Sequence, residues 1–253
     1  MTSFKFALSI LILPLAVTSL HAETKELRVL CSNGIKAAME KMLPDAEKAI
    51  GRKISIDYSA STRFQKQIEE GAAFDLTILT PGIIDGFMKS GKIVAGSNTT
   101  LASADLAVGV KAGSPKADVS TADGMKKRLL AAKTLTWTDG GAAAGAIAVM
   151  LKGLGIEDQV KSKIVLQNSP GRPAETVAEG ENELVFAPVS EIGTVKGVEV
   201  LGFFPKEYQK PVVMTAGVGA QAKDAAGAKA LVEYLRSAKA AGPIKGAGMV
   251  QAR

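Results

Sequence analysis

Small hydroxyl residues and glycines recur in three loops whose composition suits the binding of an anion. The loops are Ser32–Gly34, Ser59–Arg63 and Gly140–Gly145, and each follows a predicted strand and precedes a predicted helix. Free N–H groups at a helix start donate hydrogen bonds to an oxyanion or carboxylate, and the helix dipole favours the negative charge. Ordinary helix capping explains the serine or threonine of any one loop. Three such loops together predict an anion site.

The single cysteine, Cys31, lies at the end of the first predicted strand and is a further candidate for chemistry. A lone cysteine cannot form a disulfide within the chain, so stability must come from packing. Nothing in the sequence places a base beside Cys31 to activate its thiol. We interpret it first as a small buried core residue and keep it as a candidate for proton transfer.

The first 22 residues have the features of a cleavable signal peptide: Lys5, an apolar run over residues 6–20, and Ala22 at the predicted cleavage site. The apolar run is shorter than the roughly 20 residues of a membrane-spanning helix, and an uncleaved anchor is the alternative. We therefore predict a periplasmic protein. Cleavage removes His21, the only histidine of the chain. Its loss disfavours zinc hydrolase and Ser-His-Asp chemistry.

Charge and composition exclude further classes of function. The 31 basic and 25 acidic residues give a net charge of +6, and the excess is spread along the chain without dense Lys/Arg blocks. We therefore predict no nucleic-acid partner. The residue types also predict no metal site and no cofactor. With 253 residues that are 47% hydrophobic, the chain can form a sizeable core in one large domain or two lobes.

The elements that position these loops alternate between strands and helices. Strands are predicted at residues 27–31, 54–59, 74–79, 104–111, 134–138, 163–167, 184–187, 198–203 and 211–217. Helices are predicted at residues 35–50, 63–70, from Pro81 onward, 122–131, 143–153, 172–180 and 223–236. This alternation predicts an α/β fold with mainly parallel sheets, in which ligands gather at the carboxyl ends of strands.

The order and spacing of several motifs resemble the periplasmic molybdate-binding proteins and their relatives, which are type 2 periplasmic binding proteins. Besides the first strand and loop, the motifs are Gln67–Gly71 with Phe74–Leu76, Ala144–Gly145 with Leu151–Leu154, Ala178–Glu181, and Phe204–Pro205. The resemblance implies a two-lobed α/β fold with a ligand cleft between the lobes. Lobe one would comprise residues 23–103 and 203–253, and lobe two residues 104–202. A monomer is usual in this family.

The ligand contacts of that family carry over only in part. Ser61 matches a ligating serine, and Ala144 matches a backbone amide donor. Gly34, Pro170 and Pro188 stand where the family has a serine, an amide donor and a tyrosine, and proline has no N–H to donate. Each lost hydrogen bond to a charged ligand costs about 1.5–3 kcal/mol, which disfavours molybdate. The smaller residues predict a larger ligand.

Two arginines, Arg63 and Arg172, map to the cleft edge in this resemblance. A guanidinium binds a carboxylate through two parallel N–H bonds, so both suit a ligand with several carboxylates, although a solvated surface charge is the usual role of a single arginine. The predicted ligand-binding residues are Ser32, Asn33, Gly34, Ser61, Thr62, Arg63, Ala144 and Arg172.

Two functions are consistent with these residues. In the aconitate isomerase branch of the wider family, trans- and cis-aconitate would interconvert by an allylic proton shift, with Glu191, Asp139 or Cys31 as the proton-transfer group. Each acid could instead be an ordinary helix-start or surface charge. The alternative function is the substrate-binding component of an ABC transporter, carrying a polycarboxylate or a molybdate-like oxyanion to its membrane partner. The predicted ligand is in both cases a small anion, with a tricarboxylate favoured.

Overall fold

The computed structural model describes residues 26–169 and 171–252 of the chain. The predicted signal peptide at residues 1–22, with Lys5 and His21, lies outside the described residues, and so does Pro170. Within the two described ranges, no helix is both long enough and apolar enough to cross a membrane.

Two β-sheets organise the fold. In chain order, the strands are β1 (Leu27–Ser32), β2 (Ile54–Ser59), β3 (Leu76–Leu79), β4 (Thr99–Ala104), β5 (Leu106–Lys111), β6 (Leu135–Thr138), β7 (Ile164–Gln167), β8 (Leu184–Pro188), β9 (Val198–Phe203), β10 (Val212–Val218) and β11 (Val250–Gln251). The first sheet has the order β11-β4-β10-β3-β1-β2, and the second has the order β7-β6-β8-β5-β9.

Helices cover the faces of these sheets. They are α1 (Lys36–Ile50), α2 (Ser61–Glu69), α3 (Pro81–Lys89), α4 (Ala122–Ala131), α5 (Ala144–Gly153), α6 (Glu157–Val160), α7 (Arg172–Glu179), α8 (Val189–Ile192), α9 (Ala225–Arg236) and α10 (Ala238–Gly246). Short 3₁₀ turns occupy Asn33–Ile35 and Lys161–Lys163. We call each sheet with its helices a lobe, the first lobe containing β1 and the second containing β5.

The predicted two-lobed α/β fold is confirmed, and both sheets are mixed. Parallel pairing joins β1 to β2 and β3, and β6 to β7 and β8. The other pairings, which involve β4, β5, β9, β10 and β11, are antiparallel. The sheets are thus less parallel than predicted. β10 and β5, with which the chain enters the first and second lobes, run antiparallel to β3 and β8. The connections between the parallel strands stay within one lobe.

The chain passes from the first lobe to the second at Asp105, between β4 and β5, and returns through residues 204–211, between β9 and β10. The side chain of Gln209 ties the two crossings together. Its Oε1 accepts a hydrogen bond from the N–H of Leu106 at 2.9 Å, and its Nε2 donates to the carbonyl oxygen of Leu106 at 3.0 Å. The two connections therefore form one hydrogen-bonded unit between the lobes.

The core fixes the end of β1, which leads into the first anion-type loop. Side chains alternate along this strand, so Val29 and Cys31 pack in the cluster that includes α1, whereas Leu30 packs with Phe64 and Ile84 on the opposite face. Burial of each large aliphatic side chain contributes about 1.5–3 kcal/mol. A strand buried on both faces holds the loop that follows it in a defined position.

In the second lobe, an aromatic cluster fixes the strand ends that lead towards the other lobe. The rings of Trp137 on β6 and Phe186 on β8 meet edge to face, with centroids 6.0 Å apart and planes at 87°. Phe186 meets Phe204 in the same way, at 6.0 Å and 76°. Such pairs contribute about 0.5–1.5 kcal/mol beyond their buried area. They fix the carboxyl ends of β6 and β8 relative to each other and to the returning crossing.

Candidate functional site

A cleft lies between the two lobes, where the carboxyl ends of β1, β2, β6 and β8 meet. The first lobe lines it with Ser32, Asn33, Ala60 and Ser61. The second lobe contributes Trp137, Thr138, Gly141, Ala142, Ala143, Phe186, Ala187, Pro188 and Glu191. All three anion-type loops predicted from the sequence therefore contribute to this one cleft.

Unpaired polar atoms of the first lobe face the cleft. Ser61 is 3% exposed, and neither its Oγ nor the Oδ1 of Asn33 has a hydrogen-bond partner within the described part of the chain, although both atoms are buried. The hydroxyl of Ser32 accepts a hydrogen bond from the N–H of Gly34 at 3.5 Å. Since buried polar groups are normally paired, the two unpaired side chains are available for a ligand.

Of the described residues that line the cleft, Glu191 is the one that carries a charge. Among the described residues, its carboxylate has no hydrogen-bond or ion-pair partner. Desolvation by the surrounding protein atoms raises the pKa of this carboxyl from 4.5 to about 7, although the residue as a whole keeps some solvent exposure. An acid with this pKa exchanges protons readily near neutral pH.

Within the described part of the chain, two side-chain hydrogen bonds cross the cleft and join the lobes. The hydroxyl of Ser190, on α8 of the second lobe, donates to the carbonyl oxygen of Gly34 at 2.8 Å. The hydroxyl of Thr62, at the start of α2, donates to the carbonyl oxygen of Gly140 at 2.9 Å. The cleft is closed in this arrangement, and its remaining volume of about 20 Å³ is large enough for about one water molecule. A ligand of tricarboxylate size therefore requires the lobes to separate.

Gly34 lies behind the cleft lining and packs against the core. A Cβ atom at this position would lie 2.9 Å from Cε of Met214, which is itself fully buried. The carbonyl of Gly34 is also the acceptor of the hydrogen bond from Ser190. Close packing thus explains a glycine here, and the space of the missing side chain is filled by Met214 and does not enlarge the cleft.

The structure places the two predicted arginine contacts outside the cleft. Arg63 is exposed on α2 and lines a separate surface groove with Arg28 and Asp57. Arg172 forms ion pairs with Glu179 at 2.9 Å, Glu181 at 3.2 Å and Glu175 at 3.8 Å. The helical rotation of α2 turns Arg63 away from the cleft, and three nearby carboxylates hold Arg172 on the surface of the second lobe.

Three other predicted residues also stand apart from the cleft lining. Asp139 is exposed, and its N–H donates to the carbonyl oxygen of Gln167 at 2.9 Å. The N–H of Ala144 donates to the carbonyl oxygen of Gly141 at 3.0 Å and so is already paired. Thr62 uses its hydroxyl for the bond to Gly140.

Cys31 is fully buried in the core of the first lobe, where desolvation raises the pKa of its thiol far above the usual range. Its Sγ lies 3.5 Å from the carbonyl oxygen of Ser32, to which the thiol donates. A thiol in this environment stays protonated and out of contact with solvent. The described residues also contain no group of three or more His, Cys, Asp or Glu side chains that could hold a metal ion.

Sequence reasoning missed Trp137, Phe186 and Ser190 as parts of this site. The two aromatic residues lie near the carboxyl ends of β6 and β8, the position at which ligands gather in α/β folds. That position was a usable signal for both. Ser190 lies on a helix of four residues directly after β8, and no sequence signal predicted its bond to the other lobe.

Comparison with known proteins agrees with this architecture. Residues 27–250 match the sequence profile of the family described as Bacterial extracellular solute-binding protein. An aconitate isomerase from Pseudomonas sp. is 26% identical over 229 residues, which span 88% of this chain and 87% of that protein. Molybdate-binding protein ModA of Azotobacter vinelandii is 28% identical over 256 residues, spanning 97% of this chain and 98% of that protein.

The fold is also that of a solved relative. The structure of the Azotobacter vinelandii periplasmic molybdate-binding protein superposes with a TM-score of 0.74 at 23% sequence identity. The match covers 90% of this chain and 100% of the other. At this identity, the likeness shows a shared fold.

Proposed function

Because the chain belongs to the bacterial extracellular solute-binding protein family, we propose that it is a periplasmic protein that captures a small anion between its two lobes. The resemblance to molybdate-binding proteins is confirmed by the similarity to ModA in sequence and in fold. The closed cleft supports capture as the first event, since its hydroxyl and amide groups converge from both lobes.

We further propose that the captured anion is a tricarboxylate and that the chain is an isomerase of the aconitate isomerase type. The single observation that carries this proposal is Glu191, an unpaired carboxyl in the cleft whose pKa is raised to about 7 by desolvation. A group of this kind can both accept and return a proton near neutral pH. The similarity to an aconitate isomerase over 88% of the chain supports the same reaction.

The proposed reaction moves one proton and one double bond. The carboxylate of Glu191 removes a proton from the methylene carbon of trans-aconitate, and the electron pair of that C–H bond spreads over the allylic system and its conjugated carboxylates. Glu191 then returns the proton to the other allylic carbon, which leaves cis-aconitate and restores the carboxylate. The hydroxyl of Ser61 and the amide of Asn33 would stabilise the delocalised anion by hydrogen bonds.

Turnover of trans-aconitate by the purified mature protein tests this proposal directly. Formation of cis-aconitate is followed by proton NMR, with Glu191→Gln as the variant that removes the base and Asp139→Asn as the matched control. The expected result is activity in the wild type and the control, and a loss of about 10²-fold or more in Glu191→Gln. Tight binding without turnover would rule out the isomerase and leave a binding protein.

A second function is favoured by the size of the cleft. From a remaining volume of about 20 Å³, the lobes must open less for a compact oxyanion than for a tricarboxylate. The similarity to ModA over 97% of the chain supports delivery of such an oxyanion to an ABC transporter. Thermal unfolding with molybdate or with trans-aconitate separates the two functions, because a ligand that binds only the folded state raises the melting temperature. Stabilisation by molybdate alone would favour transport of an oxyanion.

A further inference from the structure

The charges around the cleft pose a problem for the capture of an anion. Among the described residues that line the cleft there is no lysine or arginine, and the acid Glu191 is the charged group present. Arg63 lies in another groove, and Arg172 is paired with three glutamates. A bound anion would therefore face a second negative charge in a site from which water is largely excluded.

Among the described residues, the surroundings of α8 supply no counter-charge either. Asp105, whose carbonyl oxygen accepts a hydrogen bond from the N–H of Val189, is itself an acid. The elements packed most closely against α8 are β8, the Asn33–Ile35 turn, β5 and β9. The first two carry no titratable side chain. Lys111 is the last residue of β5. It lies at the opposite end of that strand from Leu106, which pairs with Pro188 beside α8. Glu199 on β9 is paired with Lys116 at 2.8 Å. Neither Lys111 nor Glu199 lines the cleft.

Neutral groups in the cleft can hold an anion without cancelling the charge of Glu191. Ser61 is nine-tenths or more buried, and its Oγ has no partner within the described ranges. The side-chain amide of Asn33 provides two further donors, and its buried Oδ1 is unpaired as well. Hydrogen bonds from such neutral groups favour an anion, but the repulsion from a nearby carboxylate persists unless that carboxylate gains a proton.

We propose that the cleft captures its anion together with one proton from solvent, which is shared between the ligand and the carboxyl group of Glu191. This inference rests on the proposed capture of a small anion and specifies the protonation state of the complex. An O–H bond forms on Glu191, and the neutral acid donates a hydrogen bond to an oxygen of the ligand. In an isomerase, transfer of this proton to the ligand carboxylate returns Glu191 to its ionised form before it acts on carbon.

The direction of the pH effect follows from this stoichiometry. The pKa of Glu191 is about 7 without ligand, so below that pH the acid is already protonated and does not itself make affinity depend on pH. Above it, each bound anion must bring a proton with it. Affinity then falls by about tenfold for each unit of pH.

Calorimetric titration counts the protons directly. The mature protein is titrated with propane-1,2,3-tricarboxylate, a saturated analogue that cannot undergo an allylic shift, and separately with molybdate. Each titration is run at about pH 8 in two buffers of different ionisation enthalpy, because the difference in observed heat gives the number of protons taken up. The expected uptake is close to one proton per ligand in the wild type and in Asp139→Asn, and close to zero in Glu191→Gln.

The outcomes separate this inference from the proposed function. Binding by the wild type without proton uptake, or equal uptake in Glu191→Gln, would overturn the proton-linked capture and leave the proposed function intact. Binding of molybdate with uptake, and no binding of the tricarboxylate, would overturn the isomerase and support the linkage. Absence of binding by both probes between about pH 5 and pH 9 would overturn both. Circular dichroism of Glu191→Gln checks that the variant is folded.

Discussion

The hydroxyl of Ser190 and the carbonyl oxygen of Gly34, which belong to different lobes, form a buried hydrogen bond of 2.8 Å across the cleft. Ser190 immediately precedes Glu191 on α8, and Gly34 immediately follows Asn33. Closure of the lobes therefore places the carboxyl group of Glu191 and the side-chain amide of Asn33 on opposite sides of the cleft. The geometry of the candidate site depends on the closed arrangement.

Replacement of Ser190 by alanine should favour the open arrangement. The variant leaves the carbonyl of Gly34 without its buried partner, which costs the closed state about 1–3 kcal/mol. Thr62→Val removes the other cross-lobe bond, which is exposed to water, and should have the smaller effect. Small-angle scattering of the ligand-free protein measures the expected increase in radius of gyration. Equal effects of the two variants would contradict a special role for the buried bond.

Glu191 should make the stability of the protein depend on pH. The pKa of Glu191 is about 7 in the folded protein and has its ordinary value of 4.5 in the unfolded chain. Between these pH values, the folded protein therefore holds one proton more than the unfolded chain. Stability contributed by the neutral acid is thus present below about pH 4.5 and is lost as pH rises through about 7, by about 3 kcal/mol in total.

Urea unfolding of the wild type, Glu191→Gln and Asp139→Asn at several pH values measures this dependence. The loss of stability from acid to neutral pH should disappear in Glu191→Gln, because glutamine does not ionise, and should persist in Asp139→Asn. The same pH slope in all three proteins would place the carboxyl of Glu191 in contact with water.

Removal of the Ser61 hydroxyl should weaken ligand binding with little effect on folding. Ser61 Oγ has no partner in the described structure, so Ser61→Ala breaks no hydrogen bond within the protein. If the hydroxyl donates to a bound anion, its loss should reduce affinity by about 1.5–3 kcal/mol, which is about 10-fold to 150-fold. Titration calorimetry with trans-aconitate and with molybdate measures the change.

Thr215→Val is the matched control for Ser61→Ala. The hydroxyl of Thr215 is also buried and unpaired, but the residue does not line the cleft. Its removal should leave affinity unchanged. A similar loss of affinity in both variants would point to a general effect of repacking instead of a contact with the ligand.

Replacement of Cys31 should leave the proposed isomerase activity intact. The thiol is buried in the first-lobe core and stays protonated, so it is expected to resist thiol reagents in the folded protein. Cys31→Ala should lower stability by about 1–2 kcal/mol and leave the turnover of trans-aconitate unchanged at a temperature where the variant is folded. Loss of turnover in a folded Cys31→Ala protein would restore the thiol as a proton-transfer candidate.

Most elements of the fold could be predicted from the sequence because hydrophobic periodicity is strong in them. The predicted helix at residues 122–131 and strands at residues 54–59 and 198–203 have the observed bounds. Five helices and strands gave no clear pattern. β4 consists mainly of small and hydroxyl residues, α6 and α8 span four residues each, β11 spans two, and α10 is rich in glycine and alanine with Pro243 inside it.

The candidate site could be predicted where the backbone alone decides position. Ser32 and Asn33 follow β1, and Ser61 starts α2, so the ends of elements bring them to the cleft. The direction of a long side chain is not fixed in this way. Three glutamates follow Arg172 closely in the sequence: Glu175, Glu179 and Glu181. Their positions predict that the guanidinium forms ion pairs on the surface of the second lobe.

Gly34→Ser tests why the chain has glycine where the resemblance places a ligating serine. The new Cβ would lie 2.9 Å from Cε of Met214, which is the far end of a flexible side chain that is itself fully buried, so Met214 must adopt another rotamer within the core. We expect a cost of about 1–2 kcal/mol, towards the low end for overpacking, and no gain in molybdate affinity because the position lies behind the cleft lining.

A double-mutant cycle with Met214→Ala isolates the proposed contact. Met214→Ala alone should destabilise the protein by about 2–5 kcal/mol, because it leaves a cavity in the core. In the Met214→Ala background, Gly34→Ser should cost less than in the wild type, with a coupling of about 1–2 kcal/mol in urea unfolding. Strict additivity of the two unfolding free-energy changes would mean that the backbone at Gly34, and not contact with Met214, excludes a side chain. A rise in molybdate affinity of Gly34→Ser would place the new serine in the cleft.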